Sequence, residues 1–164
     1  MAKTSFNEFL LAVAPERRVF VEKLNDKLLE QGCELVIKEV KSGSTATYQL
    51  EKKTVMNWVF RKTGIWARIY GDNAGRYEEV IAALPADMQK KMTASRDCKR
   101  LIDPDACSGT CVKGFVYSLN GETQKKCRND GMLFLLTEET AEYIAGLICA
   151  EVAVRKPALQ QLNR

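Results

Sequence analysis

The chain has 164 residues, of which 46% are hydrophobic and 28% charged, and its formal net charge is +4 at pH 7. This composition is typical of a globular domain, and the length supplies one good core. The chain contains no histidine, which excludes Ser-His-Asp and Cys-His catalysis and every histidine-ligated metal site. The sequence identifies no other catalytic group and favours a non-enzymatic role.

No segment of the sequence is typical of a membrane span or an export signal. The longest stretch without a charged residue is nine residues long, residues 42–50, whereas a bilayer span needs ~20 apolar residues. The apolar run at residues 9–14 meets Pro15 where a signal peptide would be cleaved. We therefore predict a cytoplasmic location without a membrane partner. In a reducing compartment, clustered cysteines serve more often as metal ligands or redox groups than as structural disulfides.

The first 70 residues are predicted to form two helices and an antiparallel meander. Ser5 and Glu8 resemble a capping box, and a second helix is predicted over residues 15–31, ended by Gly32. Its predicted buried residues are Phe20, Leu24 and Leu28. Short polar turns separate four β-rich runs. These turns are too short for the crossover connections that parallel strands need, so the four strands are predicted to be antiparallel. These runs are residues 35–40, 45–50, 54–61 and 65–70.

The remainder is predicted to contain two short helices, an irregular cysteine-rich loop, a hairpin and a closing helix. The helices are predicted at residues 77–84 and 85–94, the loop at 97–113, and the hairpin strands at 114–119 and 125–136. Asn120-Gly121 is a strong hairpin signal, and Thr137 is suited to cap the last helix. The predicted buried stripe of that helix is Ile144, Leu147 and Ile148. We therefore predict an α+β fold with N-terminal helices packed on the meander, forming a single domain over residues 1–155 with a disordered tail at 156–164.

Four of the six cysteines fall within thirty residues, with the spacing C-x8-C-x3-C-x15-C. They are Cys98, Cys107, Cys111 and Cys127. Four thiolates are a common ligand set for structural zinc, and a tight loop can supply two of them. Such a site carries a formal charge of −2, which nearby cations can offset. These cations are Lys99, Arg100, Lys113, Lys125, Lys126 and Arg128.

Two other interpretations of these four cysteines stay open. In the first, all four are buried thiols that act as small hydrophobic groups, which is also how Cys33 and Cys149 are interpreted. Alternatively, Cys107 and Cys111 form a reversible disulfide in a thiol-based redox or sensor protein, with Cys127 as the resolving partner.

The same region resembles the C-terminal half of a family of small uncharacterised bacterial proteins, found mainly in Gram-positive anaerobes. The matching residues are Cys98-Lys99-Arg100-Leu101, Pro104, Cys107, Cys111, Gly114, Gly121, Lys125-Lys126-Cys127-Arg128 and Phe134. Upstream matches are Lys41-Ser42-Gly43, Phe60-Arg61-Lys62 and Arg68-Ile69-Tyr70-Gly71-Asp72. The resemblance spans roughly residues 6–151 and implies a shared four-cysteine site, but it supplies no activity. The family often has an aromatic residue where this chain has Asn129-Asp130-Gly131.

Charge is segregated along the chain. Residues 38–68 carry seven basic against two acidic residues, and residues 88–128 carry nine against four. Basic strands with interleaved aromatic residues are also found in nucleic-acid-binding modules, and Lys52, Lys53 and Arg61 would then contact phosphates. The simpler interpretation is that the lysines at turns protect the sheet edges and that the tryptophan lies on a core face.

These patterns predict a binding or regulatory domain with a structural zinc ion. Its partner is an unknown small molecule or protein, and nucleic acid is an alternative. The candidate pocket residues are Trp58, Trp66, Arg68, Tyr70 and Asp72. Asp72 is placed in this set because it follows a strand and precedes a helix, where loops often carry function.

Overall fold

The computed structural model describes residues 5–40, 43–103, 105 and 113–162, with the backbone alone at 40, 43 and 157–162. The helices are α1 (Phe6–Ala12), α2 (Pro15–Glu30), α3 (Glu78–Ala82), α4 (Ala86–Ala94), α5 (Lys99–Ile102) and α6 (Ala141–Leu162). The strands are β1 (Glu34–Val40), β2 (Gly43–Leu50), β3 (Lys53–Arg61), β4 (Gly64–Ile69), β5 (Phe115–Leu119), β6 (Glu122–Lys126) and β7 (Leu133–Leu135). The predicted α+β class is confirmed. No helix of the described part is long and apolar enough to cross a bilayer.

The chain divides into two compact units. The first comprises Met1–Arg68 and Phe134–Ala145, and the second comprises Ile69–Leu133 and Gly146–Arg164. A single domain over residues 1–155 stays a prediction. The backbone of α6 is helical as far as Leu162, which includes most of the segment that the sequence suggested as a tail.

The strands of the first unit form the predicted meander. The sheet order is β1-β2-β3-β4-β7, and antiparallel pairing places Tyr48 opposite Met56 and Ala46 opposite Trp58. Because side chains alternate between the two faces of a strand, these four residues share one face. All four are completely buried, so this face is the core face of the unit.

Helices α1 and α2 pack on that face, as predicted. The ring of Phe9 in α1 lies 5.4 Å from that of Phe60, and the hydroxyl of Tyr48 donates to Oδ1 of Asn25 in α2 at 2.7 Å. The Ser5 hydroxyl accepts from the backbone N–H of Glu8, as the capping signal indicated. Leu24 and Leu28 are buried as expected, whereas Phe20 is half-buried.

One predicted strand, residues 125–136, is instead two strands in different sheets. Strand β6 pairs with β5 around the Asn120-Gly121 turn, and both turn residues have positive φ angles, 53° and 81°. The chain then turns at residues 128–132, where the N–H of Gly131 donates to the carbonyl of Cys127 at 2.8 Å. A side chain at Gly131 would overlap the ring of Phe115. The turn therefore depends on a glycine at this position.

Strand β7 leaves the hairpin and joins the meander sheet beside β4. The N–H of Leu136 donates to the carbonyl of Ile65 at 2.9 Å, and the N–H of Ile69 donates to that of Met132 at 2.8 Å. This pairing runs antiparallel. The sequence left open whether the sheet continues into the hairpin, and the structure extends it through β7 alone.

Helix α6 presents the predicted buried stripe, and Ile144, Leu147 and Ile148 are all completely buried. The N–H of Thr140 donates to the Thr137 hydroxyl at 3.1 Å, but α6 begins at Ala141, so the helix begins later than predicted and Thr137 precedes it by four residues. The irregular segment predicted at 97–113 contains the short helix α5, so that part of the prediction was wrong. Residues 104 and 106–112 lie outside the described chain.

Candidate metal centre

Two of the four predicted ligands, Cys98 and Cys127, lie on a short antiparallel bridge. The N–H of Cys98 donates to the carbonyl of Lys125 at 2.9 Å, and the N–H of Cys127 donates to that of Arg96 at 2.8 Å. Asp97 and Lys126 are the bridged pair between these hydrogen bonds. Residues that flank a bridged pair lie on the opposite face from it. Cys98 and Cys127 therefore share one face as diagonal neighbours.

Diagonal neighbours on one face of a ladder are about 7–8 Å apart. This separation is wider than the ~4.4–6.8 Å between the Cα atoms of a disulfide. Both thiols are free. The placement therefore favours an ion between Cys98 and Cys127 over a direct bond between their sulfur atoms.

The sulfur of Cys98 accepts backbone hydrogen bonds. The N–H of Gly114 donates to its Sγ at 3.3 Å. Burial opposes ionisation, but the N–H groups of Gly114, Leu101 and Arg100, with the Arg100 guanidinium, lower the pKa of Cys98 below its ordinary value. A thiolate is the form that binds metal. This environment is chemically suited to a metal ligand.

Gly114 has a steric reason to be glycine. A Cβ at this position would overlap the carbonyl of Lys126 and lie 3.0 Å from the Cβ of Cys98. Because the backbones at Gly114 and Lys126 approach each other this closely, the Gly114 N–H points at the sulfur of Cys98.

The other two predicted ligands, Cys107 and Cys111, lie outside the described residues. Within the described ranges, no group of three or more cysteine or carboxylate side chains could hold a metal ion. Because the described residues include only half of the predicted ligand set, the zinc site stays a prediction.

Two of the six cations expected to offset the charge of the site have other partners. The Nζ of Lys126 donates to the carbonyls of Thr93 and Ser95 at 2.8 and 3.0 Å and to Oδ1 of Asp97 at 2.8 Å. Lys126 is buried, and it satisfies carbonyls at the C-terminal end of α4 from the face opposite the cysteines. Arg128 pairs with Asp72 through its Nε, 2.9 Å from Oδ1.

Asp72 connects two arginines in the second unit. Besides Arg128, it accepts from the guanidinium of Arg155 at 3.3 Å. The Arg128 guanidinium also lies 4.2 Å from the centre of the Tyr70 ring, within the range of a cation–π contact. Of the predicted pocket residues, Tyr70 and Asp72 are therefore brought together, with Arg128 between them.

The second unit also contains a buried carboxylate, Glu151. It accepts from the Tyr77 hydroxyl at 2.7 Å and from Nε of Arg155 at 2.7 Å. Asn73 donates to it twice, from the backbone N–H at 3.1 Å and from Nδ2 at 2.8 Å. Burial and the Glu151 charge raise the pKa of Tyr77 far above its ordinary value. Glu151 thus accepts hydrogen bonds from three residues, Asn73, Tyr77 and Arg155.

Sequence reasoning missed Glu151, Arg155, Asn73 and Tyr77 as members of one cluster. A signal was present, because Glu151 and Arg155 continue the stripe of Ile144 and Ile148 at helical spacing. Charged residues on a buried stripe indicate a paired charge inside the fold.

The remaining predicted pocket residues belong to the first unit. Trp58 is completely buried, so it cannot contact a ligand at the surface. Trp66 is half-buried, its Nε1 donates to the Thr63 hydroxyl at 2.9 Å, and the Arg61 guanidinium lies 5.4 Å from its ring centre. Arg68 is half-buried on the same face of β4 as Trp66. A ligand contact of Trp58, Trp66 or Arg68 stays a prediction.

The basic meander offers less aromatic surface than its sequence suggested. Lys52, Lys53 and Arg61 are exposed, as phosphate contacts would require, but Tyr48 and Trp58 are completely buried. Nucleic-acid binding stays a prediction.

Comparison with family models, curated proteins and solved structures found no match to this chain. The resemblance to the four-cysteine bacterial family therefore stays a prediction.

Proposed function

We propose that this chain is a binding domain whose cysteine-rich segment is held by a structural zinc ion on Cys98, Cys107, Cys111 and Cys127. The observation that carries the proposal is the antiparallel bridge that places Cys98 and Cys127 on one face. Diagonal neighbours on a ladder are generally farther apart than the two residues of a disulfide, and Cys107 and Cys111 lie between Cys98 and Cys127 in the sequence. When bound, zinc would supply the cross-links of this segment in place of a hydrophobic core.

The surroundings of Cys98 support the proposal independently. The Gly114 N–H is aimed at its sulfur, and such bonds favour the ionised thiol that a metal requires. Arg100 is close enough to Cys98 to stabilise its negative charge, and Lys125 lies on the same face of the bridge and is exposed. Both cations would offset the charge of a four-thiolate site.

The test is metal content, measured by plasma mass spectrometry on tag-free protein, together with a thiol count before and after chelation. We expect about one zinc per chain, with the four thiols becoming reactive after chelation. Cys98→Ser and Cys127→Ser should release the metal and increase hydrogen exchange over residues 97–127. Cys149→Ser, in α6, is the matched control and should keep the metal.

Two results would overturn the proposal. Metal-free protein would do so, as would Cys127→Ser protein with unchanged metal content and hydrogen exchange. Metal-free protein in which Cys107 and Cys111 react or oxidise reversibly without a chelator would support the redox alternative instead.

A further inference from the structure

The first unit contains a cavity of about 460 Å³, a volume in the range of small-molecule sites. It is lined by the turn between α1 and α2, the β3–β4 hairpin and residues 135–137. Its large apolar lining residues are Phe60, Ile65, Leu135 and Leu136. Neither Trp58 nor Trp66 lines it, so it differs from the pocket predicted from the sequence.

Three cations line the cavity with a single carboxylate. They are Arg17, Arg61 and Lys62, and the carboxylate is Glu16. Within the described chain, the side chains of Arg17 and Lys62 have no hydrogen bond or ion pair, although Arg17 is half-buried. A partly desolvated cation gains most from an anionic partner. The charge of this lining therefore favours an anion.

The backbone adds to the positive potential. Helix α2 has 16 residues, and its N-cap, Ala14, has no side chain that could cap it. Pro15 has no N–H, and the Arg17 N–H donates to the Ala14 carbonyl at 2.8 Å, so this end of the helix contributes chiefly the partial positive charge of its dipole. Ala14 and Arg17 both line the cavity, so this end of the helix adds its field to that of the side chains.

We propose that this cavity binds a small organic carboxylate with an apolar body. The apolar part would lie against Phe60, Ile65 and the leucines of residues 135–136, and the carboxylate would meet Arg17 and Lys62. A purely polar anion would leave the apolar lining in contact with water, and a neutral apolar molecule would leave the cations unpaired. The observations thus select a ligand with both parts.

The probe is octanoate, with 1-octanol as its neutral counterpart, and binding is followed by amide chemical-shift mapping of the full chain. We expect octanoate to shift amides at residues 12–17, 60–65 and 135–137, with 1-octanol binding about tenfold more weakly. Arg17→Gln and Lys62→Gln should each weaken octanoate binding by about threefold to tenfold. Lys23→Gln is the matched control, because Lys23 is exposed on α2 away from the cavity.

Shifts confined to other residues, or none at millimolar octanoate, would overturn the proposal. Equal binding of octanoate and 1-octanol would overturn the proposal that the cavity recognises a carboxylate. An unchanged affinity for octanoate in the Arg17→Gln, Lys62→Gln double variant would do the same. A dispersed spectrum for each variant shows that it is folded. Because none of the four cysteines lines this cavity, the result does not depend on the zinc proposal.

Discussion

Glu151 and Arg155 form an ion pair across one turn of α6, with Nε of Arg155 2.7 Å from Oε2 of Glu151. Glu151 is completely buried and Arg155 nearly so. Removing one partner of a buried pair leaves the other charge without compensation, which costs far more than the pair itself contributes. The two residues are therefore best viewed as a single structural unit.

We expect Glu151→Ala to lower the free energy of unfolding by about 3–5 kcal/mol, because it also removes the acceptor for Tyr77 and Asn73. Urea unfolding followed by circular dichroism measures the change. Glu142→Gln removes an exposed carboxylate of the same helix and should change stability by less than about 0.5 kcal/mol. Equal effects of the two substitutions would show that the buried pair is not structurally important.

Lys126 is expected to be structural, whereas its neighbour Lys125 is not. Lys126→Met removes the donor for Thr93, Ser95 and Asp97, and we expect a loss of about 1–3 kcal/mol in unfolding free energy. Lys125 is exposed on the same strand, so Lys125→Met is the matched control and should be nearly neutral. Native-state hydrogen exchange should also show faster exchange near the end of α4 in the first variant. Identical stability and exchange in both variants would contradict this role.

Two buried tyrosines should respond oppositely to loss of their hydroxyl. Tyr77→Phe removes a hydrogen bond to a charged carboxylate and should cost about 1.5–3 kcal/mol at pH 7. The Tyr117 hydroxyl is buried and makes no hydrogen bond within the described residues, so Tyr117→Phe should be neutral or stabilising. Thermal and urea unfolding of the two variants, measured side by side, would show whether their effects on stability differ in this way. A larger loss for Tyr117→Phe would contradict the assignment.

Tyr117 should also make stability depend on pH in the alkaline range. Burial raises the pKa of Tyr117 to about 12, whereas an unfolded tyrosine ionises near pH 10. The folded state therefore gains stability from keeping this hydroxyl neutral. This gain in the free energy of unfolding is complete below about pH 10 and is lost as the pH rises toward 12. In Tyr117→Phe, the fall in unfolding free energy over this range should be shallower by up to about 1.4 kcal/mol per pH unit. Parallel pH curves for variant and parent would disprove this contribution.

Two glycines should give opposite results on substitution by alanine. Gly146 is exposed inside α6, and no atom would lie within 4 Å of an added Cβ, so Gly146→Ala should stabilise by about 0.5–1 kcal/mol. Gly114→Ala would force a methyl group into the Lys126 carbonyl and should destabilise by about 3 kcal/mol. The midpoint of urea unfolding reports both. If Gly114→Ala left the stability unchanged, the backbones at Gly114 and Lys126 would have to be able to separate.

Local signals in the sequence predicted most of the elements correctly. The Asn120-Gly121 turn, the Ser5 cap and the alternation in β3 each depend on residues a few positions apart, so their physics is visible in the sequence. Strand β7 was missed because its pairing with β4 is long-range. The apolar run around Phe134 is consistent with either sheet, and the turn that separates it from β6 depends on the packing of Gly131 against Phe115.

The candidate sites also combine features that are local in the sequence with features that depend on long-range contacts. The cysteine spacing was visible in the sequence, and the structure adds the bridge that aligns Cys98 with Cys127. The convergence of Arg17 with Lys62, and that of Asn73 with Glu151, joins residues far apart in the chain, so no local pattern could indicate either.

The bridge between Asp97 and Lys126 also affects how a metal would act on folding. Its hydrogen bonds hold the two ends of the cysteine-rich segment together without any ion, so the entropy of closing that long loop is lost when the bridge forms. An ion at Cys98 and Cys127 would then close only the shorter loops to Cys107 and Cys111. The affinity for the ion should consequently be reduced only by the ordering of those shorter loops.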